Sequence, residues 1–380
     1  KDSHSFKSYI CDISLLKKSI ILYKICILQM YSFYYFWCMQ NHDFFMQICL
    51  NLASKAFPYN APNPMVGCVI VCDNKIIGQG YHKKYGKKHA EVNAIESVEN
   101  KKLLLKSTLY VNLEPCSHFG KTPPCSNIII KHKIPNVIIG CVDSNSKVSG
   151  SGIQKLKDAG INVSTGILEE KARYLNRRFF TFHEKKRPYI ILKWAKSKDE
   201  LMAPKNQTGS FWMTSKESKK LVHRWRSEEQ AILVGKNTVI KDDPQLTVRE
   251  CKGINPIRIT IDKKLQISKD MKIFNNDAST IVFNQVMNKE INTTKFFKIS
   301  FENLIDNILL YLYKIGIQSV IIEGGQKTLK SFIDINQWDE ARIFTTKKIL
   351  KEGLKSPILV NLKGVKKQIG VDTLEIIHNK

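Results

Sequence analysis

Arginine is scarce in this chain: only nine of its 60 basic residues are arginines, against 34 acidic residues and a formal net charge of +26. A positive excess of that size can neutralise phosphates, but nucleic-acid readers cluster arginine with aromatic side chains. Here lysine is spread along the whole length with many Ile and Asn, so no nucleic-acid partner is expected. Long apolar runs are also missing. The strongest, Ile20 to Cys38, is broken by Lys24 and Gln29, whereas a spanning helix needs about twenty apolar residues in succession. No small-residue cleavage site follows it, so no membrane partner is expected. The ten cysteines are scattered and lack the spacing of a secreted scaffold, which indicates reduced thiols and a cytoplasmic location. No repeat relates one half to the other. What remains is an ordinary globular composition, 43% hydrophobic over 380 residues, enough for two domains with separate cores.

Residues 1–38 read as an upstream extension, with Met39 as the expected biological start. Apolar positions from Phe44 to Ala56 recur at helical spacing. Val66–Val71 and Ile76–Tyr81 alternate as two strands around an Asp73-Asn74 turn, a hairpin pattern. A helix is expected from His89 to about Ser97, a strand over Thr108–Leu113, a helix from Cys125 to His132 and a strand over Asn136–Val142. Gly150-Ser151-Gly152 then leads into a helix over Ile153–Asp158, and Leu168–Phe180 reads as one further helix. His183–Pro188 is expected to be a charged linker, dividing a first domain (39–182) from a second (187–380). Beyond it, Tyr189–Trp194 and Ser319–Ile322 are expected strands and Gln326–Ile333 a helix.

The chemistry concentrates between His89 and Cys125. One imidazole, His89, and two thiols, Cys116 and Cys125, supply three ligands for a tetrahedral Zn²⁺, one per chain, and leave the fourth position open, as catalytic zinc sites do. Glu91 is too close along the chain to His89 to be a fourth ligand, and its natural task is to move a proton. Zinc nucleobase deaminases share a His-x-Glu element followed by Pro-Cys-x-x-Cys; here the two cysteines are nine residues apart. The intervening Ser117–Pro124 is long enough to form a loop over the metal. A helix starting at Cys125 would add partial positive charge favourable to a thiolate. His82 is either a support behind the metal site or a solvated loop histidine. Cys49, Cys68, Cys72, Cys141 and Cys251 are expected to be small buried side chains.

The run Cys116-Ser-His-Phe-Gly-Lys-Thr-Pro-Pro-Cys125 resembles the deaminase of riboflavin biosynthesis, a member of the cytidine-deaminase-like enzymes. The resemblance implies an N-terminal three-layer domain with a mixed sheet. In Asn63-Pro64-Met65-Val66-Gly67 it implies that Asn63 reaches the pyrimidine ring; a plain loop cap is the other reading. The chain departs from the family at Ser144 and Ser146, where prolines are usual.

The second half carries its own signals. Glu323-Gly324-Gly325 between a strand and a helix lets backbone N–H groups approach a phosphate. Lys193-Trp-Ala-Lys-Ser197, Trp212-Met-Thr-Ser215, Arg226, Ala231–Gly235, Thr238, Asp242-Asp243-Pro244 and Leu246-Thr-Val-Arg249 resemble the reductase of the same pathway, a dihydrofolate-reductase-like α/β domain that uses NADPH. Arg226 and Arg249 offer planar forks suited to a ribose phosphate, or else form ion pairs. The resemblance implies that Ser210, Arg226, Leu246, Arg249 and Glu323 meet the substrate, and that Lys196, Trp212, Thr238, Asp242, Gly324 and Gly325 meet the cofactor. Glu200 stands where the family has glycine, a position suited to positive φ.

With both sets of motifs in order, a bifunctional enzyme is expected. It would deaminate 2,5-diamino-6-(5-phosphoribosylamino)pyrimidin-4-one and then reduce the ribosyl group of 5-amino-6-(5-phosphoribosylamino)uracil to ribityl. A small pyrimidine ribonucleotide is the expected partner and a homo-oligomer the expected assembly. The rival readings are a deaminase with an inactive reductase half, a nucleic-acid deaminase and a zinc-stabilised structural protein.

Overall fold

The computed structural model describes residues 42–120, 123–145, 149–207, 209 and 211–379. The extension 1–38, Met39, Ser146 and Ser210 therefore lie outside the described residues. Two compact units emerge. The first comprises the described residues up to Lys55, 66–143 and the described part of 147–175; the second comprises 56–65, the described part of 144–146, and 176 onward.

In the first unit, helix α1 (residues 42–54) precedes strands β1 (Gly67–Cys72) and β2 (Lys75–Tyr81). Asp73 and Asn74 join these strands with φ of 49° and 58°, the paired left-handed conformation that suits a tight hairpin and that Asn and Asp tolerate. Helix α2 (Ala90–Ser97), β3 (Thr108–Leu113), α3 (Cys125–Lys131), β4 (Asn136–Cys141), α4 (Ser151–Asp158), β5 (Asn162–Thr165) and α5 (Glu169–Leu175) follow. The sheet order is β2-β1-β3-β4-β5; β1 is antiparallel to both neighbours, and β3, β4 and β5 run parallel. Strand periodicity sorts the core. Cys68, Ile70, Leu109, Val111, Val137 and Ile139 pack with Ala90, Ala94, Ile129 and Leu156 of α2, α3 and α4. Val69, Val71, Tyr110 and Ile138 face Phe45, Met46, Cys49 and Leu52 of α1. These are three layers around a mixed sheet, because the central strands β1, β3 and β4 bury both of their faces.

The second unit contains helix α6 (Arg177–Lys185), then β6 (Tyr189–Lys196), β7 (Leu201–Pro204), α7 (Lys216–Glu228), β8 (Ala231–Gly235) and α8 (Lys236–Asp242). Strands β9 (Ile257–Ile261), β10 (Thr280–Asn284), β11 (Lys289–Ile291) and β12 (Thr294–Lys298) come next, followed by α9 (Leu304–Lys314), β13 (Ser319–Gly324) and α10 (Gln326–Asp334). The chain closes with β14 (Glu340–Thr345), β15 (Gly353–Lys355), β16 (Val365–Ile369) and β17 (Asp372–His378). The main sheet runs β11-β12-β10-β9-β8-β13-β6-β14-β17-β16, with a small β15-β7 pair beside it. Its centre is parallel. One face buries Ile308 and Leu312 of α9 with Leu329 and Phe332 of α10; the other carries Val222 and Trp225 of α7 and Val239 of α8. Parallel strands covered on both faces read as continuous apolar runs, as in Ala231–Val234 and Val320–Ile322.

One expectation is corrected and a second refined. The single helix over Leu168–Phe180 is broken at Asn176, where φ is −97° and ψ is 22°. Its amide accepts from the Met65 N–H at 2.7 Å and donates to the Met65 carbonyl at 2.9 Å, so the side chain competes with helical geometry at that point. The expected charged linker is partly ordered: α6 continues to Lys185 and residues 184–186 are exposed, while Arg187 is buried in a forked pair with Asp339 at 2.5 and 2.9 Å. Among the described residues, no helix is long and apolar enough to cross a membrane.

Glu200 takes a φ of 64°. The turn is held by Ser197, whose hydroxyl donates to Asp199 at 2.6 Å, and by Asp199, which accepts from the N–H groups of Leu350 and Lys351. The Ser197 hydroxyl and these amides keep the Asp199 carboxyl below its ordinary range. A left-handed non-glycine residue costs about 1–2 kcal/mol, while the extra freedom of glycine in the unfolded chain costs about 0.5–1 kcal/mol. Glu200→Gly is therefore expected to stabilise the protein by about 0.5–1 kcal/mol, seen as a higher urea midpoint at unchanged slope.

Candidate functional site

The metal-binding side chains come from three elements. His89 is the N-cap of α2, Cys116 follows β3, and Cys125 opens α3. His89 Nδ1 lies 3.6 Å from the Cys116 sulfur and 3.3 Å from the Cys125 sulfur, and all three ligand atoms fall within 4.8 Å of one another. A tetrahedral zinc with ordinary Zn–N and Zn–S bonds holds such atoms about 3.5 Å apart, so the residues present fit the ion. Two thiolates and an imidazole are also the donor set zinc prefers over magnesium or calcium.

Cys116 is the thiol the protein itself charges. The Cys125 thiol, the His89 ring and the Cys125 N–H all donate to its sulfur and bring it down to about 4, against burial. The amide at the start of α3 points at Cys116, 3.3 Å away, while its neighbour Cys116 and burial push Cys125 up. A zinc ion held there would displace the Cys125 proton to solvent and bind the thiolate.

Glu91 is 3% exposed in the first turn of α2. Burial, then the Cys116 thiolate, raises its carboxyl, which suits a group that must accept and return a proton. His82 is buried, not solvated. Its Nδ1 lies 3.2 Å from the Lys88 carbonyl and its ring stands edge-on to His89 at 5.3 Å; burial lowers its pKa and favours the neutral ring. Cys49, Cys68, Cys72 and Cys141 are buried as expected, but Cys251 is only half-buried.

Asn63 belongs to the 56–65 segment of the second unit. Its carbonyl accepts from the Asn60 amide at 2.6 Å.

The second cluster assembles at the C-terminal ends of parallel strands, where α/β sheets place their ligands. Arg226 on α7 donates to both oxygens of Glu323, at 3.1 and 2.8 Å, and Lys193 of β6 lies 3.9 Å from the same carboxylate. Burial opposes the charge on Glu323, but the Arg226 and Lys193 cations win and hold its carboxyl at about 2. The Arg226 fork is thus engaged by Glu323. His223 accepts the Arg249 N–H at Nδ1, 3.1 Å away, and burial together with Arg226 and Arg249 keeps its ring neutral, with a pKa of about 4. The Arg249 guanidinium meets Gln245 at 2.6 Å, and Leu246 is buried with φ 58°.

On the cofactor side, Thr238 accepts the Gly325 N–H at 2.8 Å, fixing the Gly324-Gly325 turn to α8. Gly324 has φ 127°, and a Cβ on Gly325 would stand 3.2 Å from the Thr238 hydroxyl. Asp242 accepts from Gln207 at 2.7 Å and Lys196 pairs with Glu200 at 2.6 Å. Trp212 is 45% exposed, with the Lys219 ammonium 4.9 Å from its ring centre. An exposed indole presents a flat face for a partner ring.

Two family models together cover most of the chain. Residues 39–141 match the cytidine and deoxycytidylate deaminase zinc-binding region, and residues 188–377 match the RibD C-terminal domain. The riboflavin biosynthesis protein RibD of Aquifex aeolicus is 44% identical over 317 residues, covering 82% of this chain and 88% of that protein. The chain belongs to the RibD family of riboflavin biosynthesis proteins. RibD of Bacillus amyloliquefaciens is 36% identical over 88% of this chain and 91% of its own length. Among solved structures, the diaminohydroxyphosphoribosylaminopyrimidine deaminase/5-amino-6-(5-phosphoribosylamino)uracil reductase of Thermotoga maritima superposes with a TM-score of 0.81 at 36% identity, over 90% of this chain and 99% of that one. Like the family, this chain is a two-activity enzyme of riboflavin biosynthesis, a zinc-dependent deaminase joined to an NADPH-dependent reductase.

Three residues with structural roles at these centres carried no assignment in the sequence. Glu114 accepts from four backbone N–H groups, Lys193 lies beside Glu323, and His223 holds the Arg249 backbone. Two of them left a trace there, Glu114 as the residue two before Cys116 and Lys193 as the head of the Lys193–Ser197 run.

Proposed function

We propose that His89, Cys116 and Cys125 hold the zinc and that Glu91 carries the proton in deamination of 2,5-diamino-6-(5-phosphoribosylamino)pyrimidin-4-one. The reading rests on one observation: three zinc-compatible donor atoms spaced as tetrahedral ligands, with a buried carboxyl beside them. Zinc, when held there, supplies the Lewis acidity that makes water a nucleophile near neutral pH. The Glu91 carboxylate would take a proton from the water as its oxygen bonds to the amino-bearing ring carbon, and deliver it to the departing nitrogen, which leaves as ammonia. Burial both excludes bulk water and raises the affinity of Glu91 for the proton it relays.

We assign deamination to residues 39–182 and reduction to 187–380. In the second half, Ser210, Arg226, Leu246, Arg249 and Glu323 would meet 5-amino-6-(5-phosphoribosylamino)uracil, and Asn63 would reach the pyrimidine in the first. Lys196, Trp212, Thr238, Asp242 and the Gly324-Gly325 turn would seat NADPH, which supplies the hydride. The part of the protein there is to hold the opened sugar against the nicotinamide. The same reading takes the chain as a homo-oligomer without nucleic-acid or membrane partners and places it in the cytoplasm; free thiols among the described residues support the location, and a basic excess carried mainly by lysine supports the lack of a nucleic-acid partner.

The test is to feed the diamino pyrimidine ribonucleotide to the full chain and follow ammonia release and NADPH oxidation together. Both are expected. Ammonia without oxidation would confine activity to the zinc half, and deamination of tRNA or single-stranded DNA instead would overturn the substrate class.

A further inference from the structure

Glu114 is buried at the end of β3, where its N–H donates to the Cys141 carbonyl at 3.0 Å and extends the ladder to β4. A buried carboxylate is costly unless its oxygens are occupied. Here Oε2 accepts from the N–H groups of Asp143 (3.2 Å) and Gly150 (3.0 Å), and Oε1 from those of Gly152 (2.9 Å) and Ile153 (3.2 Å). Gly152 and Ile153 lie in the first turn of α4, which has no capping side chain of its own, so Glu114 satisfies N–H groups that a helix start leaves orphaned. The fit is close: a Cβ on Gly152 would stand 2.0 Å from the Pro115 carbonyl oxygen. Between the two anchored amides, Ser151 reaches across, its hydroxyl 2.6 Å from that of Ser117. Ser117 is the first residue of the loop between the two ligand cysteines.

We propose that Glu114 is a positioning residue of the deaminase centre, acting through Ser151 on Ser117 and so on the chain beside Cys116. Resting on the assignment of His89, Cys116 and Cys125 as zinc ligands, it adds a seam running from the Glu114 carboxylate through the anchored α4 amides and Ser151 to Ser117. Ser117, next in the chain to Cys116, is thereby held in place without any change to the ligand set. Links in series predict non-additivity, because loosening the first makes the second irrelevant.

Deamination is measured by ammonia release in Ser151→Ala, Glu114→Gln and the double variant, with zinc content and reductase turnover on the deaminated substrate recorded for each preparation. Ser151→Ala is expected to raise the deaminase KM about threefold to tenfold with kcat kept, as loss of substrate positioning does. Glu114→Gln is expected to raise KM further, and the double variant to match Glu114→Gln alone. Hydrogen exchange at Gly150, Gly152 and Ile153 should accelerate in Glu114→Gln while β3 and β4 stay protected. If Glu114→Gln does not fold, Ser151→Ala carries the test, since it leaves the carboxylate intact. Multiplying effects, an unchanged KM in Ser151→Ala, unchanged exchange in Glu114→Gln, or zinc loss in either variant would overturn the proposal. Absence of zinc from the parent protein would instead sink the ligand assignment on which it stands.

Discussion

Glu91→Gln is expected to cut ammonia release by roughly 10²–10⁴-fold, the share that a positioned proton carrier contributes, while zinc content and NADPH oxidation on the deaminated substrate remain at parental levels. Glutamine matches glutamate in size and can keep a hydrogen bond, so the 3%-exposed site stays filled and no cavity opens. Only the proton exchange is removed. Because burial raises the Glu91 carboxyl, the residual rate of the variant should also lose the acidic limb of the parental pH profile. Zinc analysis and a pH series of ammonia release decide the matter. Residual activity above about a tenth of parental would reassign the proton carrier, being far short of the expected loss, whereas zinc loss with activity loss would make Glu91 a support of the metal site.

Most of the first site was legible in the sequence because its chemistry is local. His89 and Glu91 share one turn of chain, and Cys116 and Cys125 bracket one loop, so the element ends that deliver them follow from strand and helix periodicity. What was not legible depends on distant pairs. Nothing in the pattern Leu168–Phe180 shows that Asn176 bonds both backbone groups of Met65, 111 residues away, and breaks the helix there. The charged run His183–Pro188 does not show that Arg187 is buried against Asp339. The electrostatics of the thiols could not be read either, since a helix N-terminus at Cys125 directs its amide to the sulfur of another residue. Glu200 illustrates the converse. A missing glycine suggested a changed backbone, yet Ser197 and Asp199 hold the turn and Glu200 adopts the left-handed conformation.

Arg226→Ala is expected to stop NADPH oxidation and to destabilise the second unit by about 3–5 kcal/mol, the cost of stranding one partner of a buried pair. Arg226 and Glu323 have side chains only 7% and 8% exposed, so water cannot replace the guanidinium. Lys193, at 3.9 Å, is too distant and itself too buried to take over both oxygens; burial already lowers its pKa. The pH dependence follows from the sign of the Glu323 shift. Its folded carboxyl sits at about 2, below the ordinary 4.5, so the pair contributes fully above the ordinary value and the contribution fades as pH falls towards about 2. Removing Arg226 reverses the preference: the stranded carboxylate binds a proton more tightly in the folded chain than in the unfolded one. The gap in unfolding free energy between parent and variant should therefore be widest near neutral pH and narrow as pH falls below about 5, where the buried carboxyl is protonated in the variant. Urea unfolding at several pH values measures that gap, and Arg226→Ala,Glu323→Gln should recover much of the stability without restoring turnover, because glutamine can stay buried neutral. A gap that stays constant with pH would show that Arg226 stabilises through its packing and not through the charge it places beside Glu323.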